Sequence, residues 1–200
     1  GITGDLLPGR EVACRYLKNT GALTHCGKSG NASMGGVIGY QAKASLSQCS
    51  NSGNITIEEG ATVGDAKLAG LIVDSFTTNN TEHLSNSGNI TVKKATAAAV
   101  RIAGVLTGTS YSLSLKNLSN TGKMEVVTDA TATAIYMAGV SAGGVKTQNL
   151  ESATNTGTLT IGKSVTTIGK SAFAGCMNLK KFVVAADNAC FSNDAEGVLY

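Results

Sequence analysis

The sequence predicts an all-β chain, a parallel β-helix or β-solenoid built from repeats of about 34 residues. Three observations carry the prediction. An Asn-Ser/Thr-Gly turn leading into a short alternating strand recurs along the chain, a second block of the form apolar-x-apolar-small-Gly-apolar recurs between these turns, and both keep one period. The composition suits that architecture. Hydrophobic residues make up 42% but aromatics only 4%, with no Trp, so the core must be Val, Ile, Leu, Ala and Met. Glycine supplies 25 of 200 residues against a single proline, amid many Ser, Thr and Asn, which fits tight turns between short strands.

The first block appears as Asn51 to Ile57, Asn86 to Val92, Asn120 to Val126 and Asn155 to Ile161, with a looser copy opening at Asn19. These asparagines step by 32, 35, 34 and 35 residues. Alternation such as Ile55-Thr56-Ile57 puts one side chain inward and the next outward, as in a half-buried strand. The Gly after each Asn tolerates positive φ, and Asn can bond its own backbone, so the tripeptide reads as a turn. Coils stacked about 4.8 Å apart would set Asn51, Asn86, Asn120 and Asn155 above one another, where their amides can exchange hydrogen bonds.

The second block runs through Gly36, Gly70, Gly104 and Gly139, stepping by 34, 34 and 35 residues. Its small-Gly pair signals close approach of another backbone. From each of these glycines to the next turn Asn is 15, 16, 16 and 16 residues, whereas from Asn to Gly the spacing varies between 17 and 19. Length variation therefore belongs to one half of the repeat. The Ala-rich copy at Ala95 to Ala103 could also be an amphipathic helix, but its sister repeats argue for strand. A repeat this long makes either one coil with a side loop or two thin coils of roughly 17 residues, and both remain open. The outward positions of this block are Ser33, Lys67, Arg101 and Tyr136. In register they form a ladder on one face, either a strip for an anion or glycan with Tyr136 as a stacking platform, or a solvated sheet surface.

After Ile161 the pattern changes, dividing the chain into solenoid repeats over 1–161 and a different repeat over 162–200. The run Ser164-Val-Thr-Thr-Ile168 through Ala172-Phe173, Cys176 and Leu179 to Phe182-Val-Val184 resembles the BspA-like leucine-rich repeat of bacterial surface proteins, continued in part by Asn188 to Tyr200. Gly35-Gly36-Val-Ile-Gly-Tyr40 and Cys49-Ser-Asn51-Ser-Gly53 resemble the Glug-type repeats of bacterial adhesins. The resemblance implies a fragment of an extracellular or surface-anchored protein of host-associated bacteria, with a host protein or glycan as partner and no catalytic residues.

Other classes find little support. A net charge of +3 without a basic run does not suggest nucleic acid, and no apolar stretch approaches the roughly 20 residues of a membrane span. Gly157 to Ser164 fits the phosphate-loop pattern G-x-x-x-x-G-K-S, but such a loop needs a helix starting at its Lys, and the flanking residues read as strands. His25 and His83 have no matching neighbours and read as surface or turn residues; Asp74, Glu82 and Asp129 read as loop acids. The five cysteines show no C-x-x-C pair, so no metal or cofactor is expected. Cys49 reads as a small core residue, while a disulfide joining Cys14 to Cys26 or Cys176 to Cys190 stays open. The expected function is a non-catalytic adhesin-like or spacer module. The alternative is a polysaccharide-degrading β-helix enzyme, which would cluster charged residues that are scattered here.

Overall fold

Each repeat closes one coil, and the coils stack through parallel strands into a β-solenoid. The computed structural model describes residues 12–39, 42–73, 76–107, 110–127, 131–142, 145–147, 150–163, 165 and 181–200. Among the described residues there is no helix. The Ala-rich segment is the strand Thr96–Ala103, bonded on both sides to Thr62–Ala69 and Thr131–Ala138, so neighbouring strands take the backbone groups that a helix would have satisfied internally.

A coil passes through three main sheets in turn, and a fourth, two-stranded sheet of Leu106–Thr107 and Ser141–Ala142 lies between the second and the third along the chain. The first holds the three-residue strands Leu23–His25, Ile55–Ile57, Ile90–Val92, Met124–Val126, Leu159–Ile161 and Phe182–Val184. The second holds Ala32–Gly35, Thr62–Ala69, Thr96–Ala103 and Thr131–Ala138. The chain then turns at the small-Gly pair and goes on to the third sheet, whose long members are Phe76–Asn86 and Ser110–Asn120. The turn Asn ends the third sheet and returns the chain to the first.

The spacing rule found in the sequence has a direct structural cause. A Cβ placed on Gly36 would overlap the side-chain amide of Asn51, and Gly70 and Gly104 meet Asn86 and Asn120 in the same way. The glycine column and the asparagine column thus touch across the inside of the coil and pinch it. Two apolar columns result. One lies between the first and second sheets and contains Ile55, Ile57, Val63, Leu68, Ile90 and Ile102. The other lies between the glycine turn and the third sheet and contains Val37, Leu46, Leu71, Leu84, Val105 and Leu118. The arc from Gly to Asn wraps the second column and holds its length; the arc from Asn to Gly wraps the first and carries the variation. The answer to the coil question is therefore one coil with a waist.

The asparagines are buried, from 9% exposed at Asn19 to 0% at Asn155. Each donates one amide hydrogen to the carbonyl of the Gly two residues on, at 2.8 to 2.9 Å from Asn19 to Asn120 and 3.4 Å at Asn155. The other hydrogen goes to the next asparagine: Asn19 to Asn51 at 2.7 Å, Asn51 to Asn86 at 2.8 Å, Asn86 to Asn120 at 2.7 Å and Asn120 to Asn155 at 2.7 Å. A side chain with two donors and a two-lone-pair acceptor meets its needs this way in an otherwise apolar interior.

A further column lies three residues before each Asn. Tyr16, Gln48, His83, Asn117 and Ser152 all adopt φ between 52° and 59°. This left-handed residue bends the third-sheet strand at one height in every coil, although none of the five is Gly. At the C-terminal end the first sheet continues past Ile161, because Leu159–Ile161 pairs with Phe182–Val184. The step there is 23 residues (182 − 159), shorter than the 35 from Met124 to Leu159 (159 − 124).

Candidate functional site

The second sheet sets the residues expected to form a ladder side by side. Ser33 pairs with Lys67, Lys67 with Arg101, and Arg101 with Tyr136. Their neighbours in sequence, such as Val100 and Ile102, point into the core, so strand alternation turns the four outward. All four are half-buried. The Arg101 guanidinium carbon lies 5.2 Å from the centre of the Tyr136 ring, a cation–π contact. Lys67 and Tyr136 flank Arg101 on opposite sides, so this contact draws the guanidinium away from the like charge of Lys67. The result is a short strip with two cations and one aromatic face on a rigid sheet.

The first sheet carries a second feature that the sequence pattern did not announce. Its outer surface and the adjoining turn form an open groove of about 510 Å³, lined by Asn89, Thr121, Lys123, Glu125, Thr158 and Thr160, with Thr156, Gly157 and Val183 completing it. Lys123 and Glu125, both in its lining, form an ion pair at 2.9 Å. Thr160 Oγ1 is buried without a protein partner, a state that costs about 1–3 kcal/mol for a polar group. A signal was present in the sequence, since Thr56, Thr91, Glu125 and Thr160 occupy matching outward positions.

The remaining candidates are dispersed. His83 belongs to the left-handed column, where Asn117 Nδ2 donates to its Nε2 at 3.1 Å and Glu82 lies 3.8 Å from its Nδ1. Glu82 is not a loop residue: it sits within Phe76–Asn86, opposite Lys116. Asp74 and Asp129 lie outside the described residues. His25 departs from expectation. It is opposite Ile57, hence in a core-facing position at one end of the first sheet, half-buried with Nε2 buried and unpartnered. Reading Asn19-Thr-Gly-Ala-Leu-Thr-His25 fully onto Asn51 to Ile57 gives that placement.

Cys14, Cys26, Cys49 and Cys190 are free thiols, so Cys14 and Cys26 are not bonded; Cys176 lies outside the described residues. Cys49 is fully buried in the second apolar column, and burial pushes its thiol, like that of Cys14, above the ordinary range. Among the described residues no three His, Cys, Asp or Glu side chains gather as a metal site would require. Of the phosphate-loop match, Leu159–Ile161 is a sheet strand, while Ser164 and residues 166–180, which hold much of the leucine-rich resemblance, lie outside the described residues. The asparagines of the two Asn-Ile-Thr sequons tie successive coils together. Asn54 Oδ1 accepts the Asn89 N–H at 3.0 Å, and Asn89 Oδ1 accepts that of Lys123 at 2.9 Å. No helix among the described residues is long and apolar enough to cross a membrane. No family model, curated protein or solved structure matches the chain.

Proposed function

We propose that the chain is a non-catalytic, adhesin-like module of a bacterial surface or secreted protein, and that it binds an acidic glycan along Ser33, Lys67, Arg101 and Tyr136. The observation that carries this reading is the register of the second sheet, which lines up two cations with an aromatic ring that already stacks a guanidinium. Carboxylates or sulfates on a glycan would meet the cations, and a sugar face would meet the ring edge left beside Arg101. The resemblance of the C-terminal segment to BspA-like repeats, and of the earlier ones to Glug-type repeats, supports an extracellular setting with a host protein or glycan as partner.

The test is retention of the chain on immobilised heparin, followed by salt elution. Retention that falls with salt, and drops in Lys67→Ala combined with Arg101→Ala, is the expected result; unchanged retention in the double variant removes the strip. The rival reading, a polysaccharide-degrading enzyme, is tested by incubating the chain with a polysaccharide panel. Release of reducing ends or unsaturated sugars would replace the proposal.

A further inference from the structure

We infer that the groove on the outer face of the first sheet is a docking site for a neutral polysaccharide chain, separate from the second-sheet strip. Its volume, about 510 Å³, falls within the range of small-molecule sites, and its lining sets polar groups among apolar surface that includes Val183. Hydroxyls, an amide and one ion pair face it, with no aromatic residue. A ligand that buries such groups must both donate and accept hydrogen bonds at many points, which is the chemistry of a polyol.

The protein fixes several of these groups in advance. Thr121 Oγ1 donates to the Asn86 carbonyl at 3.5 Å, so its lone pairs are left to accept. Asn89 Oδ1 is occupied by the Lys123 N–H at 2.9 Å, which leaves its Nδ2 to donate elsewhere. Lys123 and Glu125 neutralise one another at 2.9 Å, so the lining carries no net charge and favours an uncharged ligand over a nucleic acid or a sulfated glycan.

Geometry argues for a chain rather than a single sugar. The parallel strands repeat the groove's positions from coil to coil, with Thr91, Glu125 and Thr160 opposite one another, at the roughly 4.8 Å spacing of paired strands. Beyond the groove the same outer rank continues through Ser87 and Ser52, whose hydroxyls each donate at 3.5 Å to the main-chain carbonyl of the turn Asn one coil earlier. A linear polymer of polyol units running in that direction meets the hydroxyl of Ser52, Ser87 or Thr121 at successive coils.

The experiment is frontal affinity chromatography of the whole chain on columns of immobilised dextran, galactomannan, xyloglucan and mixed-linkage β-glucan, beside a heparin column. The expected result is retardation on at least one neutral column that persists at high salt. Thr158→Trp, which fills the groove, and Thr121→Val, which keeps the shape but removes a hydroxyl that lines it, should each weaken it by about tenfold. Either variant alone suffices if the other fails to fold, as judged by circular dichroism. Lys67→Ala with Arg101→Ala should lose heparin retention and keep the neutral one, so the two sites fail separately. No retardation on any neutral column, retardation abolished by salt, or retardation unchanged in the folded groove variants would overturn the inference. Loss of neutral binding in the second-sheet double variant would overturn it as well.

Discussion

Replacing Asn86 by Ala cuts the asparagine column at its middle. The side chain donates to the Gly88 carbonyl at 2.8 Å and to Asn120 Oδ1 at 2.7 Å, and accepts from Asn51 Nδ2 at 2.8 Å. Its removal orphans one acceptor on Gly88, one on Asn120 and one donor on Asn51, all in positions closed to water, since Asn51, Asn86 and Asn120 are each 1% exposed. At about 1–3 kcal/mol for each unsatisfied buried group, the loss is on the order of 3 kcal/mol even at the lower edge. That is a large share of the roughly 5–15 kcal/mol by which domains are stable. Asn155→Ala is the internal comparison. That residue accepts from Asn120 at 2.7 Å, but its bond to the Gly157 carbonyl is stretched to 3.4 Å, and no onward asparagine bond is present among the described residues. Urea unfolding followed by far-ultraviolet circular dichroism should therefore give a clearly lower midpoint for Asn86→Ala than for Asn155→Ala, and both lower than the parent. Equal midpoints for the two variants, or a loss under about 1 kcal/mol at Asn86, would refute the idea that the column acts through its continuous hydrogen bonding.

The glycines and the thiols carry further expected outcomes. Gly70→Ala should destabilise by about 1–3 kcal/mol or more in thermal melts, because a Cβ would run into the Gly104 carbonyl and the Asn86 side chain. Gly60→Ala, where nothing lies within 4 Å but φ is +78°, should cost only the roughly 1–2 kcal/mol of left-handed strain. Thiol labelling read by peptide mass should modify exposed Cys26 and Cys190 in the native chain, and Cys49 only after unfolding. Burial raises the Cys14 thiol, so less of it is thiolate near neutral pH and its labelling should lag behind that of exposed Cys26.

The period, the parallel stacking, the asparagine column and the second-sheet ladder were legible because each rests on identical residues, or outward positions, recurring at one spacing. The ladder pairs Lys67 with Arg101 and Arg101 with Tyr136 as the spacing of the glycines requires. The waist was half legible. The constant 15 or 16 residues from Gly to Asn marked a fixed arc, but nothing local says that the two ends of that arc touch. The left-handed column was hidden, since Tyr16, Gln48, His83, Asn117 and Ser152 share no chemistry and the backbone bend is imposed by the coil around them. The groove was hidden for a related reason. Threonines on a strand read as solvated surface, and the groove's lining joins successive coils, Lys123 and Glu125 from one with Thr158 and Thr160 from the next.

The waist also decides which substitutions feel one another. Leu68 and Leu84 belong to adjacent turns of the same coil yet sit in different apolar columns, divided by a partition of backbone and amide. A void opened in one column cannot be filled by side chains of the other, so truncations on opposite sides should sum as independent events. Gly70 and Asn86, which form the partition itself, should be strongly non-additive, because a change in either moves the wall that both columns share. For mutational purposes each coil is two small cores joined at a hinge of amides, and the coil, rather than either core, is the unit that can be added or removed.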